Sequence, residues 1–461
     1  MNKTLISVLA AFLCCAGLGA QTLQTAYFSD NFAYSYRLNP AFNPGFSFVG
    51  LPFVGTSGSG YHGTFNVGDA LFYRNGGEKV TFMNDAVSAQ DFLGNFKSGL
   101  SKISSESYVN LAAIGFNASG MYNIVDFNIR GYNSAKLPYD LMRFLKEGAT
   151  TDGSYDLSGL DAHSTYFAEI GITSSWKVNR KLTVGVRFKG VIGLEDSYIR
   201  LDRMTVNRSN GNWSASSDGV IASAYDGWEI ATRPVATDAT PQSTAGIIDL
   251  YNTEFGKPKG IMNGYGVGAD LGFIYDDSSW QISGSISDIG CVFWFHNLYG
   301  HAASGTREYY SGYPDTAYHG SSTTAKEFSK MKDMLGDAFG FTKEDEDQSL
   351  GLLPLTFRFG AKYLYLNDLS FGGLATFRYD DICPYWDLRG NVNFKPTKKT
   401  ELIGSVGVGS LGISMGAFAS AKLGFISVFA GTDNILGGIG PKFIPGGRRS
   451  PNLAAGLNII W

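Results

Sequence analysis

The stretch Tyr265-Gly266-Val267-Gly268-Ala269-Asp270-Leu271-Gly272-Phe273 decides the fold. Tyr265, Val267, Ala269, Leu271 and Phe273 occupy every second position, and glycines with Asp270 fill the others. Period two puts the two sets on opposite faces of an extended strand. Leu182, Val184, Val186 and Phe188 alternate in the same way with Thr183, Gly185, Arg187 and Lys189. So do Leu355, Phe357, Phe359 and Tyr363 with Thr356, Arg358, Gly360 and Lys362, and Trp386, Leu388, Val392 and Phe394 with Asp387, Arg389, Asn391 and Asn393. Runs of about ten residues are what a tilted strand needs to cross a bilayer. A soluble β-sandwich also alternates, but its strands usually have about five or six residues. Full charges beside glycines on the polar face also speak for a lumen.

Composition agrees. Glycine at 59 of 461 residues and aromatics at 14% are high together, while charge at 17% is below the usual quarter or so. Lys3, the apolar run Leu5 to Leu18 and the small residues Gly17-Leu18-Gly19-Ala20 predict a signal peptide over 1–20. Leu13 before Cys14 does not suit a lipoprotein cleavage site. Beyond residue 20 no apolar run is long enough for a transmembrane helix. An exported apolar chain then crosses a bilayer by closing a sheet on itself, which pairs every backbone group. Cys291 and Cys383 could form one bridge, but two lone small apolar residues suit them better. A net charge of -4 and the lack of a basic tract exclude a nucleic-acid partner.

Candidate strands from 58–67 to 453–461 number about fourteen, an even count as such barrels require. Short turns at Asn179-Arg180, Asp276 to Ser279, Asn367-Asp368 and Pro396 to Lys399 fall on the periplasmic side. The long segments 68–106, 132–164, 198–263, 290–354 and 432–452 fall outside. Trp176, Tyr275, Trp280 and Trp386 stand at strand ends, where interfacial girdles lie. Helical spacing at Tyr139 to Leu145 and Phe328 to Phe339 predicts short helices in outer loops. The lumen face receives Arg130, Arg187, Lys189 and Asp270, and on later strands Arg358, Lys362, Arg378 and Arg389. The expected fold is therefore all-β: a transmembrane antiparallel barrel over 58–461, preceded by a plug segment over 21–57.

That segment contains Leu38-Asn39-Pro40-Ala41-Phe42-Asn43-Pro44-Gly45. Proline forbids helix and ladder here, and Asn39 and Asn43 can each bond the backbone two residues on. The triplet Asn39-Pro40-Ala41 resembles the hatch motif of the FadL family of outer-membrane transporters for hydrophobic compounds. The resemblance implies a fourteen-stranded barrel blocked by an N-terminal hatch, with Asn39, Pro40 and Ala41 as hatch residues. Tyr36 to Phe42, Val49-Gly50-Leu51-Pro52 and Leu137-Pro138-Tyr139-Asp140 are similar to uncharacterised outer-membrane barrels of Bacteroidota. FadL-like barrels of that phylum also serve as partners in protein secretion. The terminal strand Leu453 to Trp461, stopping on an aromatic, resembles the closing strand of bacterial outer-membrane proteins.

No enzyme is expected. His62 and Thr64 share a face, but no Ser-Asn follows as a barrel phospholipase requires. His163, His296, His301 and His319 look isolated in loops, so no zinc site or cofactor is expected. Glu344 to Asp347 lacks the spacing of a calcium loop and reads as a solvated turn. Passage of a hydrophobic ligand is favoured for a barrel set in outer-membrane lipid. The alternative is a subunit whose outer loops bind a secretion, assembly or surface-lipoprotein partner. A general porin would suit the lumen arginines, but a plugged barrel would conduct poorly.

Overall fold

The computed structural model describes residues 23–461 apart from 65–68, 74–78, 83, 85, 97–98, 148–151, 210–211, 234–245, 249–253, 259, 303–305, 310–339, 346, 411 and 436–451. The expected signal peptide and the helix expected at 328–339 lie outside the described residues.

Fourteen antiparallel strands close into one barrel. They are β1 (Phe48–Gly50 and Ser57–Gly63), β2 (Leu100–Ala118), β3 (Met121–Pro138), β4 (Asp161–Lys177) and β5 (Leu182–Ser209). β6 (Gly264–Asp277), β7 (Trp280–His296), β8 (Asp347–Leu352 and Thr356–Leu364) and β9 (Leu369–Arg378) follow. β10 (Tyr385–Thr397), β11 (Thr400–Gly409), β12 (Gly412–Leu423), β13 (Ile426–Thr432) and β14 (Asn452–Ile460) complete the circle. At the seam Phe48 pairs with both Ile460 and Gly115, and Ser57 with Ala455 and Val109.

The alternating faces are as the sequence demands. Val267, Leu271, Phe359, Leu388 and Val406 are exposed on the outside, forming the apolar band of a membrane-spanning barrel. Trp176, Tyr275, Trp280 and Trp386 are exposed at strand ends. Tyr265 pairs with Ile192 and Tyr275 with Leu182, so the band ends near Gly193 on β5.

Three expectations need correction. The wall begins at Phe48 rather than near 58. Its first strand is interrupted at Leu51 to Thr56, where Gly55 N–H donates to Leu51 O and Phe53 takes a positive φ of 63°. The interruption hid the strand because six residues without alternation read as a loop. Secondly, much of what read as outer loop is strand. β5 runs for 28 residues, and a tilted strand climbing about 2.5 Å per residue leaves the membrane after about ten. Thirdly, the lumen face is not polar throughout, since Leu374, Ile403, Phe418 and Phe429 are buried inside.

The barrel is lopsided. β2 to β5 have 19, 18, 17 and 28 residues, whereas β9, β11, β13 and β14 have 10, 10, 7 and 9. Above the membrane the tall wall carries its own hydrophobic core, built around Phe92, Phe144, Leu157, Leu201 and Met204. Two short helices feed it. Tyr139–Glu147 is the one expected, and Ala89–Leu93 is capped by Ser88, whose hydroxyl accepts from Asp91 N–H. Cys291 and Cys383 are both free.

Candidate functional site

The lumen is filled in three layers. The periplasmic layer is the N-terminal segment itself, Leu23 to Phe46. Its side chains Tyr27, Phe28, Phe32, Tyr34 and Phe42 are buried against Phe418, Phe429 and Ile274 of the inner wall. Phe32 lies edge-on to Phe429 with ring centroids 4.9 Å apart, and Tyr27 to Phe42 at 5.0 Å. Edge-to-face rings and buried aromatic area hold the segment inside the barrel.

Polar groups of the wall complete its backbone. Asp433 accepts from Gln24 N–H at 2.9 Å and Thr25 N–H at 2.7 Å. Glu401 accepts from Asp30 N–H at 3.1 Å and Asn31 N–H at 3.2 Å. Asn391 and Asn393 donate to Thr25 O and Phe28 O, each at 3.1 Å. Lys362 donates to Phe28 O at 3.3 Å and pairs with Asp30 at 3.1 Å. Arg358 donates to Gln24 Oε1 at 3.3 Å, and Arg389 donates to Asp433 O at 3.1 Å beside its pair with Asp387 at 2.8 Å.

Asn39, Pro40 and Ala41 are buried against the tall wall. Asn39 folds as the sequence suggests: its Oδ1 accepts from Ala41 N–H at 2.9 Å, as Asn43 Oδ1 does from Gly45 N–H at 2.7 Å. The Asn39 amide then donates to Phe273 O at 3.1 Å and Gly284 O at 3.2 Å. Directly opposed glycines, Gly185 of β5 and Gly272 of β6, make the seat. A Cβ on Gly272 would lie 2.0 Å from Asn39 Oδ1, and one on Gly185 would lie 2.2 Å from Pro40 C. Phe28 rests likewise on Gly360 and Gly372. These four lumen-face glycines are therefore the imprint of the segment they receive. Sequence reading saw them only as abundance.

The middle layer is ionic. Arg187 pairs with Asp126 at 2.8 Å and Glu169 at 2.9 Å; Arg130 with Glu169 at 3.1 Å and Asp288 at 2.7 Å. Lys189 pairs with Asp270 at 2.6 Å and also with Asp288, and Arg378 pairs with Glu106. Every lumen charge named from the sequence is buried. Sequence reading missed most of their carboxylate partners. Asp126 shares the lumen face of β3 with Arg130, and Glu169 lies on that of β4, so the alternation of β3 and β4 held the signal. This layer is too closed for a water-filled pore: the space left at its centre is about 20 Å³, room for about one water.

The outer layer is a vestibule of about 430 Å³. Its floor is apolar, formed by Tyr132, Phe167, Val292, Trp294 and Leu353. Its rim is polar, with His163, Asp196, Arg200, Asp380 and Asp381. His163 and His296, expected to be isolated, meet at one carboxylate: Asp196 lies 2.7 Å from His163 Nε2 and 3.4 Å from His296 Nε2. The strands that carry them extend above the membrane: β4 pairs with β5 there, His163 opposite Tyr198, and His296 at the end of β7 comes against the same Asp196. Among the described residues no group of three or more His, Cys, Asp or Glu is arranged to hold a metal ion.

On the side of β8 the wall is incomplete. Asp347–Leu352 pairs with β7, while no strand pairs with its other edge among the described residues. Pro354, which has no N–H to donate, follows at the break between the two parts of β8.

No curated protein matches the sequence. Among solved structures, a deletion mutant of the monoaromatic hydrocarbon channel TodX is 8% identical with a TM-score of 0.42, covering 96% of this chain and 95% of that one. The toluene transporter TbuX of Ralstonia pickettii is 9% identical with a TM-score of 0.38, covering 96% and 94%. A FadL homologue of Pseudomonas aeruginosa is 11% identical with a TM-score of 0.37, covering 96% and 98%. Likenesses at these scores carry no functional argument. A family model does match over residues 40–433, most of the chain, and by it the protein belongs to a family of unknown function, DUF5723.

Proposed function

We propose that the protein is an outer-membrane barrel, exported after loss of residues 1–20, that passes a small, largely apolar molecule inward past an N-terminal plug. The observation that carries this reading is the vestibule: an apolar, aromatic floor at the outer end of a lumen that is otherwise polar or filled. An enclosed apolar surface with a few polar groups at its rim is how small-molecule sites are generally built. Residues 23–46 act as the plug, and Asn39, Pro40 and Ala41 are its latch on the Gly185–Gly272 seat. The seated plug closes the centre from below, where Gln24 and Arg37 line the small space beside Arg130, Arg187 and Lys189 and the Tyr36 hydroxyl donates to Asp126. Passage therefore requires the plug to leave its seat.

A locked plug tests this. Thr25 Oγ1 and Ser405 Oγ lie 2.8 Å apart, so the Thr25→Cys/Ser405→Cys variant can be bridged by oxidation. Liposomes containing the protein should take up a fluorescent long-chain alcohol or a radiolabelled monoaromatic faster than empty liposomes. Oxidised variant should lose that excess, and reduction should restore it. Equal uptake with and without protein, for both tracers, would sink the transport reading.

A further inference from the structure

We infer that the molecule received in the vestibule is an organic cation, a protonated amine carried on an aromatic or short aliphatic body. This rests on the vestibule being the entrance for cargo and names the chemistry of that cargo. The floor sets the body: Phe167 and Trp294 are ring surfaces at the base of the cavity. Beneath them the charges cancel, because Arg130 and Arg378, which approach Tyr132 from below, are each paired with carboxylates.

The rim sets the charge. Asp161, Asp196, Asp380 and Asp381 line the cavity, against Arg200 and His163. Two of the four are occupied. Asp161 lies 3.6 Å from Arg200 and 3.7 Å from Lys136, and Asp196 holds His163. Asp380 and Asp381 have no ion pair among the described residues. Asp380 accepts from Ile382 N–H at 2.9 Å, Cys383 N–H at 2.6 Å and the Ser134 hydroxyl at 3.2 Å, while Asp381 accepts from the Tyr379 hydroxyl. Hydrogen bonds of this kind fix the carboxylates without ion-pairing them, and Arg378 and His163 act on Asp380 only at longer range. An apolar floor beside two carboxylates without ion partners suits a cation on an apolar body: the floor takes the body and the acids take the charge. It repels a carboxylate of the same shape. Asp380 and Asp381 belong to the short link between β9 and β10, on the side where the neighbouring edge of β8 is unpaired, so the charge stands where the cavity is least walled.

The test uses three probes of one shape, 3-phenylpropylamine, 3-phenylpropanol and 3-phenylpropionate, titrated calorimetrically into the full chain in lipid nanodiscs at neutral pH. The amine should bind at least about tenfold more tightly than the carboxylate, and the alcohol should fall between them. In Asp380→Asn/Asp381→Asn the amine should weaken about tenfold, with the alcohol unchanged. Asparagine keeps an acceptor for the backbone donors, and the single variant Asp381→Asn, touching only the Tyr379 hydroxyl, gives a second reading if the double variant does not fold. Alcohol or carboxylate binding as tightly as the amine would overturn the cationic assignment and leave the transport reading standing. So would an amine preference that survives both variants. Binding by none of the three would overturn the vestibule as entrance, and the cationic assignment with it.

Discussion

The tall and short walls of this barrel handle buried polarity in opposite ways. On the tall side, β3 to β7, the charges satisfy one another: Arg130, Arg187 and Lys189 share Asp126, Glu169, Asp270 and Asp288 across neighbouring strands. On the short side, β8 to β14, Glu401, Asn391, Asn393 and Lys362 turn to the backbone of residues 24–31. One wall pairs its charges internally and meets the plug through single groups such as the Tyr36 hydroxyl on Asp126 and the Asn39 amide on Phe273 O and Gly284 O. The other is completed by the plug. A fold can thus hold a rigid half and a conditional half in one closed sheet, because burial demands partners without specifying where they come from.

Removing the plug should separate the two most. Deletion of residues 23–46 should leave amide exchange in 121–138 and 182–192 close to that of the full chain, and speed it several-fold or more in 385–432. Equal loss on both sides would erase the distinction. Next in size, Glu169→Ala leaves Arg130 and Arg187 short of a shared buried partner and should cost about 3–5 kcal/mol, read from urea unfolding in lipid vesicles. Glu401→Gln, which keeps an acceptor for the plug, should cost about 1–3 kcal/mol. A smaller loss at Glu169 than at Glu401 would reverse the comparison.

Gly272→Val offers a sharper probe of the seat. Its Cβ meets Asn39, and forcing it in should cost about 1–3 kcal/mol and raise protease cleavage within 23–46. Gly373, with open space around its Cβ, is the control: Gly373→Val should leave the plug protected.

The smallest effect is at the rim, above the membrane band. Burial disfavours a charged His163, but the Asp196 carboxylate outweighs it and holds the imidazole pKa above its ordinary value. A raised pKa in the folded state adds stability below about pH 6.5 that is lost as pH rises through the folded value. The side chain is 42% exposed, so screening should keep the contribution below about 1 kcal/mol. Melting temperature should fall slightly between pH 6 and 8.5, and Asp196→Asn should flatten that slope. A slope unchanged in Asp196→Asn would remove this pair from the account.

Much of the wall was legible because lipid on one side and lumen on the other enforce alternation, as Tyr265 to Phe273 shows. Legibility stopped where that asymmetry stops. Above the membrane, Tyr198 to Arg203 face neither lipid nor a simple lumen, so a strand there looks like a loop. The plug was visible through Asn39-Pro40-Ala41 and its turn chemistry, but not its seat. Gly185 and Gly272 lie far from the triplet in sequence, and a glycine carries no side chain to declare its partner. Asp433 was hidden for a related reason: it follows the end of β13 and acts on backbone donors, which leave no mark on composition.

The interrupted first strand has a consequence for assembly. Ser47 and Trp461 exchange backbone hydrogen bonds at 3.3 and 3.1 Å, so the residues directly following the plug pair with the last residue of the chain. Asp433 and Asn458, which hold Gln24, Thr25 and Tyr34, also come from the last two strands or the link between them. Closing the seam and seating the plug therefore draw on the same part of the chain. Closing the seam during assembly thus brings residues 23–46 beside the side chains that hold them.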